Sequence, residues 1–361
     1  PNAGSFGMAV STAMIFGLIS LMFLDTSINM AMQPFKMMVG DMVNEKQKGL
    51  AYSIQSFLCN AGSLVGFLFP FIFTWIGISN IAPQGVVPDS VIYSFYIGAA
   101  ILILCVIYTT VKVKEMPPAE YAEYHGITEE EEKEKINMVK LLVKAPKAFW
   151  TVGLVQFFCW FAFMFMWTYT NGSVAANVFD APTVETAVNG VSKVMLDTKS
   201  IQYQDAADWV GVLFAVQAIG SVLWAVCIPL FKDRKLIYSL SLVLGGLGFI
   251  STYFVHNQYV LFISFLLIGC AWAAMLALPF TILTNALSGG HMGTYLGLFN
   301  GTICIPQIVA ASLGGSILAL FTPKGMLPPE INMLVMAGIM LIIGAVCVYL
   351  IKETKGEQTK A

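Results

Sequence analysis

The sequence predicts an all-α protein that crosses a membrane many times. Of its 361 residues, 57% are hydrophobic and only 11% are charged, and the mean hydropathy is +0.76. This is too little charge for the surface of a soluble protein of the same length. The hydrophobic residues form nine runs, each near the roughly 20 residues that a helix needs to cross a bilayer core of about 30 Å. The runs do not alternate polar and apolar residues as the strands of a membrane barrel do, so we expect helices.

The nine predicted spans follow each other along the whole chain. They cover approximately residues 7–33, 51–77, 91–111, 148–170, 209–231, 236–254, 259–283, 293–321 and 332–351. Lys and Arg collect in loops on the cytoplasmic side of membrane proteins. If the first span runs inward, 16 of the 19 basic residues lie on that side, and Lys193, Lys199 and Lys324 lie on the other. We therefore expect a multi-pass protein of the cell inner (plasma) membrane with a cytoplasmic C-terminus.

The spacing of the spans predicts two unequal halves. Many transporters are built from three-helix units arranged as two six-helix halves, and nine helices make three such units. We expect residues 1–111 to be the remainder of an N-terminal half, with three helices missing before Pro1, and residues 148–351 to be a complete C-terminal half. Residues 112–147, which are polar and contain EEEEKEK, are the predicted cytoplasmic linker, and 352–361 the tail. A faint repeat between QPFKMMVGDM and LPFTILTNAL supports the division.

One acid lies deep in a predicted span. Of the 21 acidic residues, Asp25 is the one that falls well inside, where a charge costs several kcal/mol and commonly marks an ion or proton path. Asn29 and Gln33 lie within roughly 80° of it around the helix. Removal from water favours the neutral carboxyl, which would let Asp25 bind and release a proton. We expect Asp25 and Asn29 to couple transport to protons; the alternative is that Asp25 joins helices by a hydrogen bond or an ion pair.

The segment around Asp25 resembles a known family. LDTSINMAMQPFKMMVGDMVNEKQKGLAYSIQSFLCNAGSLVGF, with Asp25, Asn29, Pro34, Asp41 and Gln47, is similar to the fourth and fifth helices of plant sucrose transporters and their bacterial relatives. These belong to the glycoside/pentoside/hexuronide:cation symporter branch of the major facilitator superfamily. The resemblance implies a major facilitator fold, of which helices four to twelve are visible, and import of a disaccharide such as maltose or sucrose by proton symport. It also puts Asp25 at the family's coupling position.

A neutral sugar needs hydrogen-bonding side chains and flat aromatic faces near the membrane midplane. Seven residues inside the spans provide them: Gln55, Asn60, Gln156, Trp160, Trp167, Asn300 and Gln307. We expect several of these to contact the sugar, in helices that Gly62, Gly66 and Pro306 allow to bend. Each also has a purely structural interpretation, because Trp anchors helices at interfaces and Asn or Gln joins neighbouring helices.

A membrane sensor or scaffold and a membrane-embedded enzyme are the two alternatives to a transporter. A membrane sensor or scaffold without transport would not need a titratable group at the midplane, whereas a coupled carrier does. A membrane-embedded enzyme would need a catalytic group, and the sequence has no Ser/His/Asp set, metal-ligand spacing or Walker loop. We therefore expect no enzymatic activity, cofactor, bound metal or nucleic acid. The expected partners are a sugar, membrane lipid and a coupling cation, H⁺ or else Na⁺, and we expect a monomer.

Overall fold

The structure, a computed structural model, consists of helices and one β-hairpin in the part of the chain that it describes. That part comprises residues 12–43, 47–78, 89–114, 117, 120, 138–188, 191–287, 292–323 and 325–351. The predicted membrane architecture is confirmed, because eight helical segments in these ranges are long and apolar enough to cross a membrane. Most of the predicted linker and nearly all of the tail lie outside the described residues.

The helices succeed one another with short connections. The first three are α1 (Thr12–Met42), α2 (Lys48–Trp75) and α3 (Asp89–Lys112), and the short α4 (Met138–Val143) follows. The rest are α5 (Lys147–Asn177), α6 (Ile201–Cys227), α7 (Arg234–Ser251), α8 (Leu261–Ala286), α9 (Met292–Phe299), α10 (Gly301–Phe321) and α11 (Ile331–Cys347). Short 3-10 turns, Ile228–Leu230 and Val348–Leu350, continue α6 and α11.

The predicted spans and the helices agree in number more closely than in their ends. The helix α2 covers the second predicted span. Helix α1 continues past Pro34 to Met42, since a membrane helix tolerates proline in its interior. Helix α6 begins at Ile201, eight residues before the predicted start, because Ser200 caps it by accepting a hydrogen bond from the backbone N–H of Tyr203 at 3.3 Å. The eighth predicted span is interrupted at Asn300, between α9 and α10.

A β-hairpin that the hydropathy analysis did not predict connects α5 to α6. Its strands, β1 (Thr183–Val188) and β2 (Val191–Leu196), are antiparallel, with Val184 opposite Met195. Each strand is only six residues long, too short to stand out in a search for apolar runs of membrane length. The sequence signal was the Asn189-Gly190 pair between two alternating segments, which is typical of a two-residue hairpin connection.

Small residues bring the helices close together. A methyl group on Gly269 of α8 would overlap the backbone carbonyl of Gln217 in α6. A methyl group on Gly246 of α7 would lie 2.9 Å from the backbone carbonyl oxygen of Gly338 in α11. In a membrane, where lipid is as apolar as the side chains, such close approach of backbones drives helix association. Helix α8 therefore packs against α6 and α7, and α11 packs against α5 and α7. These five helices supply most of the buried side chains among the described residues.

Helix α2 packs against α6 and α8, whereas α1 and α3 make few contacts with the described chain. The apolar segment of α1 from Ile15 to Met32 is 0% buried, and α3 is 6% buried. Their hydrophobic side chains therefore form exposed faces.

The two ends of the bundle carry different features. We call the end with the hairpin, the last turn of α5 and the first turn of α6 the hairpin end. His256 Nδ1 lies 3.3 Å from the backbone carbonyl of Asn177 there, and the Trp209 indole donates to the carbonyl of Gln258 at 3.2 Å. The opposite end includes Lys112, Lys147, Arg234 and Lys235, and we call it the basic end. The sugar and proton candidates lie between these ends.

Candidate functional site

Polar side chains from two helices converge on one turn of α8. From α2, the Ser56 hydroxyl donates to the backbone carbonyl of Ala273 at 3.4 Å, and the amide of Asn60 donates to the carbonyl of Ser56 at 2.7 Å. From α5, the Gln156 amide donates to the carbonyl of Met275 at 2.9 Å. Asn60 and Gln156 are buried, with 0% and 1% exposure. Two predicted sugar-binding residues thus lie on opposite sides of residues 273–275, in the interior of the bundle.

Three tryptophans lie beside this turn. The rings of Trp160 and Trp167 from α5 are 5.7 and 5.8 Å from the ring of Trp272 in α8, and 6.4 Å from each other. Phe163 also packs against two of these rings, 4.9 Å from Trp272 and 6.4 Å from Trp167. Trp167 remains 44% exposed, so the indole cluster, as we call Trp160, Trp167 and Trp272, reaches an accessible surface. Such a surface is suited to the apolar face of a sugar ring.

Trp272 was missed by the sequence analysis. Its neighbours in the chain are Cys270, Ala271, Ala273 and Ala274. One large ring in a run of small side chains is the signal that could have identified it, because small neighbours leave room for a ring to contact other helices.

Five of the seven predicted sugar-binding residues have an unused polar atom. These atoms are buried and have no hydrogen-bond partner in the described part of the chain: Gln55 Nε2, Asn60 Oδ1, Gln156 Oε1, Trp160 Nε1 and Asn300 Oδ1. An unpaired buried polar atom costs about 1–3 kcal/mol, and it is generally satisfied by water or a ligand in native proteins. Three of the five are acceptors and two are donors. The set matches a ligand that both donates and accepts hydrogen bonds.

Asn300 and Gln307 stand apart from the turn of α8. Thr302 contacts Gly153, and Phe299 lies 5.7 Å from Phe149, so the first turns of α10 and α5 pack side by side. Since both helices rise about 1.5 Å per residue in the same direction, Gln307 lies at the level of residue 158, between Gln156 and Trp160. No described contact joins Asn300 or Gln307 to the indole cluster.

Asp25 and Asn29 lie on α1, away from the other candidates. The Asn29 amide donates to the backbone carbonyl of Asp25 at 2.9 Å. Asp25 is exposed on the described surface, and Asn29 is half-buried. Helix α1 contacts α2 and α9 only sparsely, and the side chain of Gln33 is outside the described residues. The structure therefore does not bring Asp25 to the indole cluster, and its role in proton coupling stays a prediction.

The described residues include no group of three His, Cys, Asp or Glu side chains that could hold a metal ion. The polar atoms around α8 are neutral amide, hydroxyl and indole groups. This chemistry favours an uncharged, hydroxyl-rich ligand over an ion.

Comparison with known proteins defines the architecture. The sequence matches the family model described as Major Facilitator Superfamily over residues 3–196 and 174–361. Among solved structures, the fold is similar to the crystal structure of an Asn-to-Ala variant of the E. coli fucose:proton symporter, FucP, with a TM-score of 0.51 and 16% identity, over 86% of this chain and 71% of that chain. At this identity the likeness concerns the fold. A search of curated protein sequences gave no match.

Proposed function

The chain belongs to the Major Facilitator Superfamily, and on this premise we propose that it is a secondary active transporter that imports a sugar together with a proton. We further propose that it is a member of the glycoside/pentoside/hexuronide:cation symporter branch and carries a disaccharide such as maltose or sucrose. The likeness of its fold to a fucose:proton symporter supports sugar and proton symport in general. The single observation that carries the proposal is that Asn60, Gln156 and Trp160 each have a buried polar atom without a described hydrogen-bond partner, near the turn of α8 that carries Trp272.

The chemistry of that set suits a sugar. A sugar hydroxyl donates one hydrogen bond and accepts others, so it can satisfy the acceptor oxygens of Asn60 and Gln156 as well as the donor of Trp160. The apolar face of the ring can stack on Trp167 or Trp272 while its edge reaches the amides. Hydrogen bonds that replace unpaired buried atoms are favourable by about 1–3 kcal/mol each.

Alternating access supplies the mechanism in this proposal. Residues 1–111 and 148–351 form two halves joined by the linker 112–147, and rocking between them exposes the site to each side in turn. Asp25 and Asn29 bind and release the proton. The basic end faces the cytoplasm, as does the C-terminus, and the hairpin faces outward from the inner membrane. The transporter works as a monomer.

The test is uptake of radiolabelled maltose and sucrose into vesicles that contain the full-length protein, with and without an inward proton gradient. We expect the gradient to drive accumulation by the wild type. Asp25→Asn, which cannot ionise, should only equilibrate the sugar across the membrane. Asp205→Asn removes an exposed carboxylate from the first turns of α6 and serves as the control; it should accumulate sugar like the wild type.

Two outcomes would contradict the proposal. Gradient-driven accumulation by Asp25→Asn would show that another group couples the proton. Absence of uptake of a wide panel of sugars, at a verified level of folded protein, would favour the sensor or scaffold that the sequence also allows.

A further inference from the structure

Glu330, at the hairpin end, is a carboxylate that the sequence analysis did not select. It lies one residue before α11, outside the predicted span, and immediately follows Pro328 and Pro329. It is half-buried. An acid at the start of a helix usually accepts hydrogen bonds from the first backbone N–H groups, but the Glu330 side chain makes no such bond. The carboxylate is therefore not bound to the first backbone N–H groups of α11.

The carboxylate of Glu330 lies against Gly172 of α5. A methyl group on Gly172 would overlap both its oxygens, so the carboxylate could not keep this position beside a larger residue. One turn earlier on α5, Tyr169 is 9% exposed, and its hydroxyl lies in a similar way against Gly314 of α10. The ends of α5, α10 and α11 thus meet around Tyr169 and Glu330, through two glycines. The position of Glu330 depends on close packing of α5 against α11.

No positive charge compensates Glu330 within the described residues. The titratable side chain that acts on it from α5 is Tyr169. Helix α7, which also packs against α11, has its basic residues Arg234 and Lys235 at the opposite end, and α10 contains no charged residue. The N-terminus of α11 favours the ionised form by its dipole, yet removal from water is stronger. Burial raises the pKa of Glu330 from its ordinary value of 4.5 to about 7.

We propose that Glu330 is a second proton-binding site of this protein, which holds a proton while the C-terminal turns of α5 are packed against the first turn of α11 and releases it when these turns open locally. The place of this site in a transport cycle rests on the proposed function, but the protonation and the packing do not. The site lies in the C-terminal part of the chain, whereas Asp25 lies in the N-terminal part. The hairpin end would then respond to the pH of the compartment that it faces.

The direction of the effect follows from the two protonation states. In the packed arrangement the pKa of Glu330 is about 7, and after separation in water it returns towards 4.5. The packed arrangement therefore binds more protons, so it is favoured at low pH and loses stability as pH rises through 7. Between pH 5 and pH 8 the ratio of packed to separated protein should fall by roughly one to two orders of magnitude.

The experiment measures hydrogen exchange of the backbone amides in 169–177 and 331–337, in the full-length protein reconstituted into lipid vesicles without sugar. Glu330→Gln mimics the protonated side chain. At pH 8 we expect these amides to exchange at least about threefold more slowly in Glu330→Gln than in the wild type, and at pH 5.5 we expect equal rates. Asp180→Asn removes an exposed carboxylate beside the end of α5, at a position with φ of +48° that asparagine also accepts. It should exchange like the wild type at both pH values.

Gly172→Ala is the second variant, because its added methyl displaces the carboxylate. Its exchange should lose the pH dependence of the wild type, because the displaced carboxylate is no longer buried against α5. Infrared difference spectra of the Asp25→Asn protein should in addition show a protonated carboxyl band that titrates near pH 7 and is absent when Glu330→Gln is added. Equal exchange of Glu330→Gln and wild type at pH 8, or persistence of the band in the Asp25→Asn/Glu330→Gln double variant, would overturn the inference. Because neither measurement uses sugar, either result is independent of whether uptake succeeds.

Discussion

At the scale of single residues, the site is defined by polar atoms without partners beside aromatic rings. Gln156 shows the pattern most clearly, because its Nε2 is bound to Met275 at 2.9 Å while its Oε1 is unused. The bond holds the side chain in one orientation, so the free oxygen is presented without further loss of side-chain entropy. A ligand would meet positioned groups rather than flexible ones.

Trp272 should matter for substrate affinity. Replacing it by alanine removes a ring that packs on both Trp160 and Trp167, and aromatic contacts are worth about 0.5–1.5 kcal/mol beyond the buried area. We expect Trp272→Ala to raise the KM for sugar uptake about tenfold and Trp272→Phe to raise it less. Trp150→Ala, which removes a ring that is 55% exposed on the first turn of α5, is the control. An unchanged KM in Trp272→Ala would remove the indole cluster from the site.

At the scale of helices, glycines determine which pairs of helices pack with their backbones close together. Gly220 of α6 and Gly269 of α8 face each other's backbone, and a Cβ on Gly220 would lie 2.5 Å from the carbonyl oxygen of Leu266. This contact places α8, which carries Trp272 and the two acceptor carbonyls, at a fixed distance from α6. The helix that organises the site is therefore positioned by residues outside the site.

Gly269→Ala should destabilise the protein. The new methyl overlaps the backbone of α6 at Gln217 and Ser221, and overpacking of this kind costs about 1–3 kcal/mol. The matched control is Gly211→Ala in α6, where the added methyl meets nothing within 4 Å; it should leave stability unchanged or raise it by up to about 1 kcal/mol through helix propensity. Thermal unfolding in detergent measures both. Equal stability of Gly269→Ala and wild type would show that α6 and α8 are free to separate.

The helices were predictable from sequence, while their contacts were not. A run of about 20 apolar residues has few alternatives to a helix in a membrane, because every backbone polar group must be satisfied internally. Gln156, Trp160 and Trp167 could be selected by type and depth alone. Trp272 had only a weaker signal, its place among small side chains, because its contacts depend on which helix faces α5. Glu330 was missed for a related reason: it lies outside the predicted span, and its contact with Gly172 of α5 depends on how the helices pack.

At the scale of the whole molecule, α2 is the connection between the first helices and the rest. At the basic end, a Cβ on Gly49 of α2 would lie 3.8 Å from the Thr281 side chain of α8, and the rings of Tyr52 and Phe280 are 6.4 Å apart. Further along, Phe67 of α2 lies 5.9 Å from Phe214 of α6. If the two proposed halves rock, the contacts at the basic end must open during each cycle.

A disulfide across this end tests the rocking motion. Gly49→Cys combined with Thr281→Cys, in a protein whose seven cysteines are replaced by serine or alanine, puts a thiol on each side of this contact, where a Cβ on residue 49 lies 3.8 Å from the Thr281 side chain. Oxidation should stop sugar uptake, and reduction should restore it. Each single variant should be insensitive to oxidant. Full uptake by the oxidised double variant would be incompatible with opening at the basic end.

The hydrogen bonds that join α2 and α5 to α8 end on main-chain oxygens, those of Ala273 and Met275. A main-chain oxygen survives any substitution of the residue that carries it. Mutations at positions 273 and 275 that preserve volume would therefore keep the donors on α2 and α5 satisfied, so these positions can drift over evolutionary time. Where the hydrogen-bond acceptors belong to the backbone, the sequence can diverge while the packing of the helices is retained.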